Sequence, residues 1–301
     1  MVTKSEATNV DRFIAIPAGI CSGATKLLVG HPFDTVKVRM QTEGGFGRFK
    51  GPLDCLMSTV RAEGLRALYR GATPPLIGWT LMDSTQLVTL TNLRILIQST
   101  HPDTPLTTGD QALAGFGAGI VVSFVATPIE LLKAKLQVQY NTKGMGPPEY
   151  SGPVELARKL VRNHGVTGLW QGLGPCLMFR SFFWALWGSY DIYSKFLTQR
   201  GYSESTTAFL AGGLAANTFW TISYPADVIK NRIMAQKDPG PRSKNWTYPS
   251  IQACAKHIFK TEGLKGFYRG FVPCFLRSFP TNGAAILVFE TVSSTGKRLL
   301  N

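Results

Sequence analysis

"GHPFDTVKVRMQ", Gly30 to Gln41, sets Pro32 inside an apolar helical stretch and follows it with an acid, Asp34, and a base, Lys37, three residues further on. A proline in a helix interior removes a backbone hydrogen bond and bends the axis. The pattern returns as "TPIELLK" at 127–133 and "YPADVIK" at 224–230, so that Pro32, Pro128 and Pro225 stand 96 and 97 residues apart. A second element, "EGLRALYRG" at 63–71, recurs as "HGVTGLWQG" at 164–172 and "EGLKGFYRG" at 262–270, with closing glycines 101 and 98 apart. Upstream of each proline, small residues recur at fixed distances: Gly19 and Gly23, Gly115 and Gly119, Gly212 and Ala216. Self-similarity at one period marks a repeat architecture. The chain divides into three units, 1–104, 105–203 and 204–301.

Each unit reads as a long helix, a polar stretch with a short helix, and a second long helix. Segments such as "ALAGFGAGIVVSFVATP" are apolar over a length that crosses a bilayer core. Their glycines would weaken a soluble helix by about 1 kcal/mol each relative to alanine, whereas in lipid small-xxx-small faces bring helices close. Two such segments per unit predict an all-α membrane protein of six transmembrane helices with pseudo-threefold symmetry. Three related prolines then tilt three helices toward a common axis at one membrane face.

Composition alone leaves a soluble protein and a membrane bundle open, and motifs narrow the remaining classes. The 301 residues are 44% hydrophobic with a formal net charge of +14. The mean hydropathy of +0.04 suits a bundle with a polar interior as well as a soluble protein. A basic balance favours anionic partners, but no block of five or six basic residues and no nucleic-acid motif appears, and no nucleic-acid partner is expected. Five cysteines, Cys21, Cys55, Cys176, Cys254 and Cys274, are odd in number and lack CxxC spacing, so they read as small buried side chains rather than disulfides or a metal site. The start "MVTKSEATNVDRF" has neither the h-region of a signal peptide nor the arginine run of a transit peptide. His31, His101, His164 and His257 are scattered, and no nucleophile–base set, phosphate loop or metal cluster is present, so no enzyme and no cofactor is expected.

An acid and a base three residues apart can bond within one helix; the alternative is a ring of pairs between neighbouring helices. The threefold Pro-x-acid-x-x-base pattern, spread over the whole chain, resembles the mitochondrial carrier family. The resemblance implies a matrix gate in which Asp34 pairs with Lys133, Glu130 with Lys230 and Asp227 with Lys37. Such links must break in every transport cycle, which suits pairs of about 0 to 1 kcal/mol where water reaches them. Gln41 and Gln137 match the family's glutamine brace, while Met234 stands at the third position. The family's outer network is degraded here: "LTNLR" at 90–94 lacks the acid, "YDIYSK" at 190–195 is off register and "FETVS" at 289–293 lacks the base. The outer gate should be the looser one.

The family also implies cardiolipin phosphates held where helices begin, at Gly71, Gly172 and Gly270 and at the companion elements "FKG" and "YSG", ending in Gly51 and Gly152, with a weaker "YPS" at 248–250. Exposed N–H groups at a helix start attract phosphate; the glycines also serve as turn residues.

Ionisable side chains midway across a bilayer tend to face the pore, which singles out Lys26, Asp83, Arg180 and Arg277. Arg277 lies seven residues after Gly270, at the family's third contact point; Arg180 lies eight after Gly172, and matching "RSF" triplets argue for their equivalence. Gly78 and Trp79 occupy the first contact point, with Asp83 one turn on. Two guanidinium groups suit a carboxylate or phosphate, and Asp83 suits a cation. Trp79, Trp184 or Trp187 can add cation–π contact; packing explains the last two equally well.

"GHPFDTVKVR" is similar to carnitine/acylcarnitine and basic amino acid carriers, whose helix 4 arginine is usually followed by an acid where this chain has Ser181. Lys26, on the glycine side of helix 1, suits a gate or a substrate contact. The resulting expectation is a monomeric antiporter of the mitochondrial inner membrane, with short matrix helices between its spans and termini in the intermembrane space, carrying carnitine, acylcarnitine or an amino acid. The alternatives are another anionic metabolite, such as a carboxylate or nucleotide, or a membrane adaptor on the same scaffold that does not transport.

Overall fold

The computed structural model describes residues 4–42, 49–139, 149–240, 243 and 245–300. All regular structure among them is helical. In chain order the helices are α1 (Lys4–Thr42), α2 (Pro52–Glu63), α3 (Thr73–Thr100), α4 (Thr108–Gln137), α5 (Pro153–His164), α6 (Leu173–Ser181), α7 (Phe183–Gln199), α8 (Glu204–Ala235), α9 (Ile251–Gly266) and α10 (Phe271–Leu300). Each repeat contributes two long elements separated by a short helix, α2, α5 or α9. The second long element of repeat 2 is split into α6 and α7. At 28 residues, α3 is about 42 Å long at 1.5 Å per residue, enough to cross a hydrocarbon core.

The long helices follow one another around a ring, in which Tyr224 of α8 meets Phe271 of α10 at 5.0 Å. Neighbours α3 and α4, α4 and α7, and α7 and α8 lie together, and α10 returns to pack along α1. Helix starts follow local chemistry. Thr107 and Asp110 form a reciprocal capping box at α4 (3.2 and 2.8 Å). Helices α2 and α5 open on Pro52 and Pro153, positions where an N–H would lack a helical partner in any case.

Apolar cores hold the helices together, as the cluster of Leu131, Leu156, Leu160, Phe179 and Met234 does, but the outer face is apolar too and charges are buried within. Large apolar residues face outward, among them Leu81, Val88 and Ile95 on α3 and Leu113, Phe116 and Phe124 on α4, whereas Asp34, Lys37, Arg39, Asp227, Lys230 and Arg232 are buried. Such an outer face suits lipid tails. Among the described residues, only α4 is by itself long and apolar enough to cross a membrane.

Among the described residues, the glycine stripe makes close contacts in repeat 2. A Cβ on Gly115 or Gly119 would strike the backbone of Phe183 or Arg180, whereas Gly23 and Gly212 have open space beside them. Alongside Gly115 and Gly119, Ala114, Ala118, Val122 and Ala126 are fully buried at four-residue spacing, so α4 presents a smooth strip that Leu90 of α3 and the residues of α6 and α7 approach closely.

Helices α1, α4 and α8 continue through Pro32, Pro128 and Pro225. Each proline leaves the carbonyl four residues earlier without a helical donor, and each repeat satisfies that carbonyl in the same way. Tyr69 Oη donates to Leu28 O (3.1 Å), Trp170 Nε1 to Phe124 O (2.9 Å) and Tyr268 Oη to Thr221 O (3.1 Å). The proline pattern and the aromatic-x-Gly element are thus two halves of one joint.

Candidate functional site

Just beyond the prolines, the six charged residues meet across the ring. Lys133 Nζ lies 2.6 Å from Asp34 Oδ2, Lys37 Nζ 2.8 Å from Asp227 Oδ2, and Lys230 Nζ 2.9 Å from Glu130 Oε2. Each pair joins two repeats. The local pairing also exists once, between Lys230 and Asp227 at 3.2 Å. Aromatic faces screen the ammonium groups: Trp220 lies under Lys37 (4.3 Å), Phe179 under Lys230 (4.1 Å) and Trp79 under Lys133 (5.6 Å).

The two glutamines behave differently. Gln41 donates to Asp227 (3.0 Å) and accepts from Asn231 (2.7 Å), touching the ring directly. Gln137 donates instead to Thr35 Oγ1 (3.2 Å). Met234, fully buried, packs against Gly172. His31 is also fully buried and meets the carbonyl of Arg70 at 3.0 Å, a structural contact.

Arg180 and Arg277 reach equivalent places. Arg180 pairs with Glu130 (2.5 Å) and Arg277 with Asp34 (3.2 Å), so each guanidinium meets an acid already bound to a lysine of the ring. Arg180 reaches the ring despite the extra residue between it and Gly172; Gly119 of α4 gives room for its carbonyl, and two residues further on, at Phe182, α6 ends and α7 begins. Asp83 and Lys26 are exposed and make no hydrogen bond or ion pair among the described residues, although Lys26 and Arg180 act electrostatically on Asp83.

Two expected substrate contacts have other engagements. Gly78 is buried against Ile129, with no space for a Cβ, and the Ser181 hydroxyl donates to Met178 O (2.7 Å). Trp187 packs between Gly115 and Arg94, whose guanidinium stands 4.9 Å over its ring.

At the helix starts, Gly71, Gly172 and Gly270 have positive φ (75°, 102° and 81°). In the same order they abut Lys133 O and Gln137, Met234, and Lys37 O and Gln41 of the next repeat around the ring. A side chain here would strain the backbone and push the charged helices apart. Gly51 and Gly152 are extended, with open space beside them.

Of the outer network, Asp191 pairs with Lys195 of its own helix (2.7 Å) and accepts from Thr108 (2.5 Å). Glu290 lies outside the described side chains.

A second set of charges escaped the sequence reading. Two residues past Lys37, Arg39 bonds Glu63 (2.6 Å), which also takes Arg70 (2.6 Å), while Arg39 Nε donates to Gln137 O in repeat 2 (3.2 Å). In repeat 3, Arg232 and Arg269 bond Glu262 (2.6 and 2.8 Å), and Arg232 Nε donates to Gln41 O in repeat 1 (2.6 Å). Arg39 and Arg232 are almost wholly buried. The signal was present in the acids and arginines that open and close "EGLRALYRG" and "EGLKGFYRG".

A threefold helical ring with a lipid-suited exterior, closed at one level by ion pairs between repeats, defines a membrane transporter of the triplicated carrier type. The chain belongs to the mitochondrial carrier family: the family model "Mitochondrial carrier protein" matches residues 10–101, 104–201 and 202–298. It is similar to the mitochondrial substrate carrier family protein L of Dictyostelium discoideum, 40% identical over 97% of this chain and 98% of the relative. It is 33% identical to a mitochondrial carnitine/acylcarnitine carrier-like protein of Arabidopsis thaliana, over 95% and 99% of the two chains. It is 32% identical to the mitochondrial basic amino acids transporter of Bos taurus, over 92% and 90%.

Proposed function

We propose that the chain works in the mitochondrial inner membrane as a monomeric exchanger of a small zwitterionic metabolite bearing a carboxylate, a carnitine, an acylcarnitine or an amino acid, by alternating access. The observation that carries this reading is the pairing of Arg277 with Asp34 and of Arg180 with Glu130. A substrate carboxylate offers the guanidinium groups the same planar, charged acceptor. By displacing Asp34 and Glu130 it leaves each acid with its lysine alone and loosens the ring from the substrate side. Asp83, without an ion-pair partner among the described residues, takes the cationic end, and Trp79 supplies a face beside it.

The ring of Asp34, Lys37, Glu130, Lys133, Asp227 and Lys230, with Gln41, is the matrix gate, a reading that its three ion pairs between repeats support. Cardiolipin phosphates sit at the helix starts beside Gly71, Gly172 and Gly270 and at those after Gly51 and Gly152, because the first N–H groups of a helix lack intrahelical acceptors and attract phosphate. The termini face the intermembrane space. Relatives named for carnitine/acylcarnitine and for basic amino acids support the solute class.

The test is uptake by purified protein in liposomes, loaded and unloaded, against labelled carnitine, acylcarnitines, amino acids, nucleotides and carboxylic acids. Uptake of a zwitterion that depends on internal substrate is the expected result. Uptake confined to nucleotides or dicarboxylates, or no uptake of any solute, would overturn the reading.

A further inference from the structure

Lys26 shares a side of α1 with the gate yet takes no part in it. Residues 26, 30 and 34 fall within a sector of about 80° on that helix. Asp34 holds Arg277 (3.2 Å) and Lys133 (2.6 Å). Gly30 rests against the stem of Arg277, whose Cδ would lie 3.6 Å from a Cβ on the glycine, and against Thr281. Lys26 therefore stands one turn, about 6 Å, beyond the Arg277 contact, on the side away from the gate.

Asp83 has the matching place on α3. That helix climbs away from Gly71, which abuts the carbonyl of Lys133. On the way, Trp79 faces the Lys133 ammonium group (5.6 Å), and Asp83 lies one turn further along the same face. Lys26 acts electrostatically on Asp83, but the two form no ion pair among the described residues. The carboxylate thus stays open to a solute while a cation stands guard beside it.

Packing does not call for a lysine here. Counted from the three prolines, the equivalent positions are Val122 and Phe219, both buried in one apolar core, whereas Lys26 is exposed. An ionisable side chain at membrane depth is costly and marks function by default.

We propose that Lys26 sets the charge selectivity of the cavity: it restricts the transported solute to zwitterions with a single cationic centre and turns away those with a second, such as lysine and arginine. This rests on the reading of Asp83 as the seat of the solute's cationic end. A carboxylate engages Arg277 and Arg180, and Asp83 accepts one cation. A second cationic group then meets the ammonium group of Lys26, while the acids of the ring are already held by their lysines. Like charge set against the wrong solute is a direct route to specificity. The solute class narrows to carnitine-type molecules and amino acids with uncharged side chains.

The experiment compares the full-length parent with Lys26→Gln, Lys26→Val and Lys26→Arg in liposomes, each loaded with the solute assayed, for uptake of labelled carnitine, glutamine, lysine and arginine. The parent should take up carnitine or glutamine and discriminate against lysine and arginine. The ratio of kcat/KM for two-cation over one-cation solutes should rise at least about fivefold in Lys26→Gln and Lys26→Val and stay at the parental value in Lys26→Arg. Such a ratio does not depend on how much protein folds, and a lysine that only supported packing would alter both uptakes alike. An unchanged ratio in the two neutral variants, or a parent that carries lysine and arginine as readily as glutamine, overturns the role of Lys26 and leaves the zwitterion reading standing. Loss of all uptake in both neutral variants also overturns it, since Lys26 would then be needed by every solute. A parent that takes up none of the four overturns the proposed function together with this role.

Discussion

Tyr69 donates its hydroxyl to the carbonyl of Leu28, the group that Pro32 leaves without a helical donor. Trp170 and Tyr268 do the same for Phe124 and Thr221. The acidic and basic residues of the gate lie just past these joints, so the aromatic-x-Gly element sets the course of the gate helix within its own repeat.

Tyr69→Phe, Trp170→Phe and Tyr268→Phe each remove one such donor. A net loss of about 0.5–1.5 kcal/mol is expected per bond. The losses should add, because the joints share no partners. Melting temperatures of the single and triple variants check this; a triple variant as stable as the parent would show that the joints contribute nothing.

Glu130 holds both Lys230 and Arg180. Glu130→Gln leaves two buried cations sharing a neutral acceptor, and removing one partner of a buried ion pair typically costs about 3–5 kcal/mol. Uptake should fall at least about tenfold. Lys37 keeps Asp227 as its partner in that variant, so the protein should still fold, which chromatography in detergent reports.

Gly119→Ala should be more disruptive than Gly23→Ala. A Cβ on Gly119 would sit 2.1 Å from the Arg180 carbonyl oxygen, whereas nothing lies within 4 Å at Gly23. Displacing α6 also moves Arg180, so uptake and stability should fall together in the first variant and hold in the second. Equal behaviour of the two would place the tight contact elsewhere.

Arg277→Ala should abolish uptake while the protein remains folded, and Asp83→Asn should raise KM for cation-bearing solutes more than for neutral ones. A kinetic comparison of a carnitine-type solute with a solute lacking the cation separates the two effects. Parallel losses would remove Asp83 from the cationic end.

Burial pushes the Cys254 thiol on the short helix α9 up to about 12. The thiolate is the reactive form, so its fraction at pH 8 is negligible. Cys254 should resist maleimide in the folded protein while the exposed Cys21 reacts. Mass spectrometry of labelled peptides, before and after denaturation, reads the difference directly.

Spacing alone made the threefold architecture legible, because proline, acid and base must recur at one period if three gate helices are to meet. The pairing between repeats was implied by family likeness, and the side chains lie within contact of those partners. What escaped the sequence depended on reach rather than pattern. The bond from Tyr69 to Leu28 joins two motifs whose proximity no periodicity announces. Ser181 shares the "RSF" triplet with Arg180, yet its hydroxyl closes onto Met178, since a short side chain beside a helix end finds its own backbone first. Gly78 was read as a cavity position, but only packing against Ile129 shows why no side chain fits. The extra residue before Arg180 leaves its register open in the sequence, and only the contact of its guanidinium with Glu130 shows that it reaches the ring.

Where Gly71, Gly172 and Gly270 press against the neighbouring repeat, each offers bare main chain to the partner helix. Interlocked side chains would have to unmesh before such a seam could part. A knobless bearing lets two surfaces separate or rock without repacking, so resistance to movement at these seams falls on the electrostatic fastenings, which a charged passenger is equipped to undo.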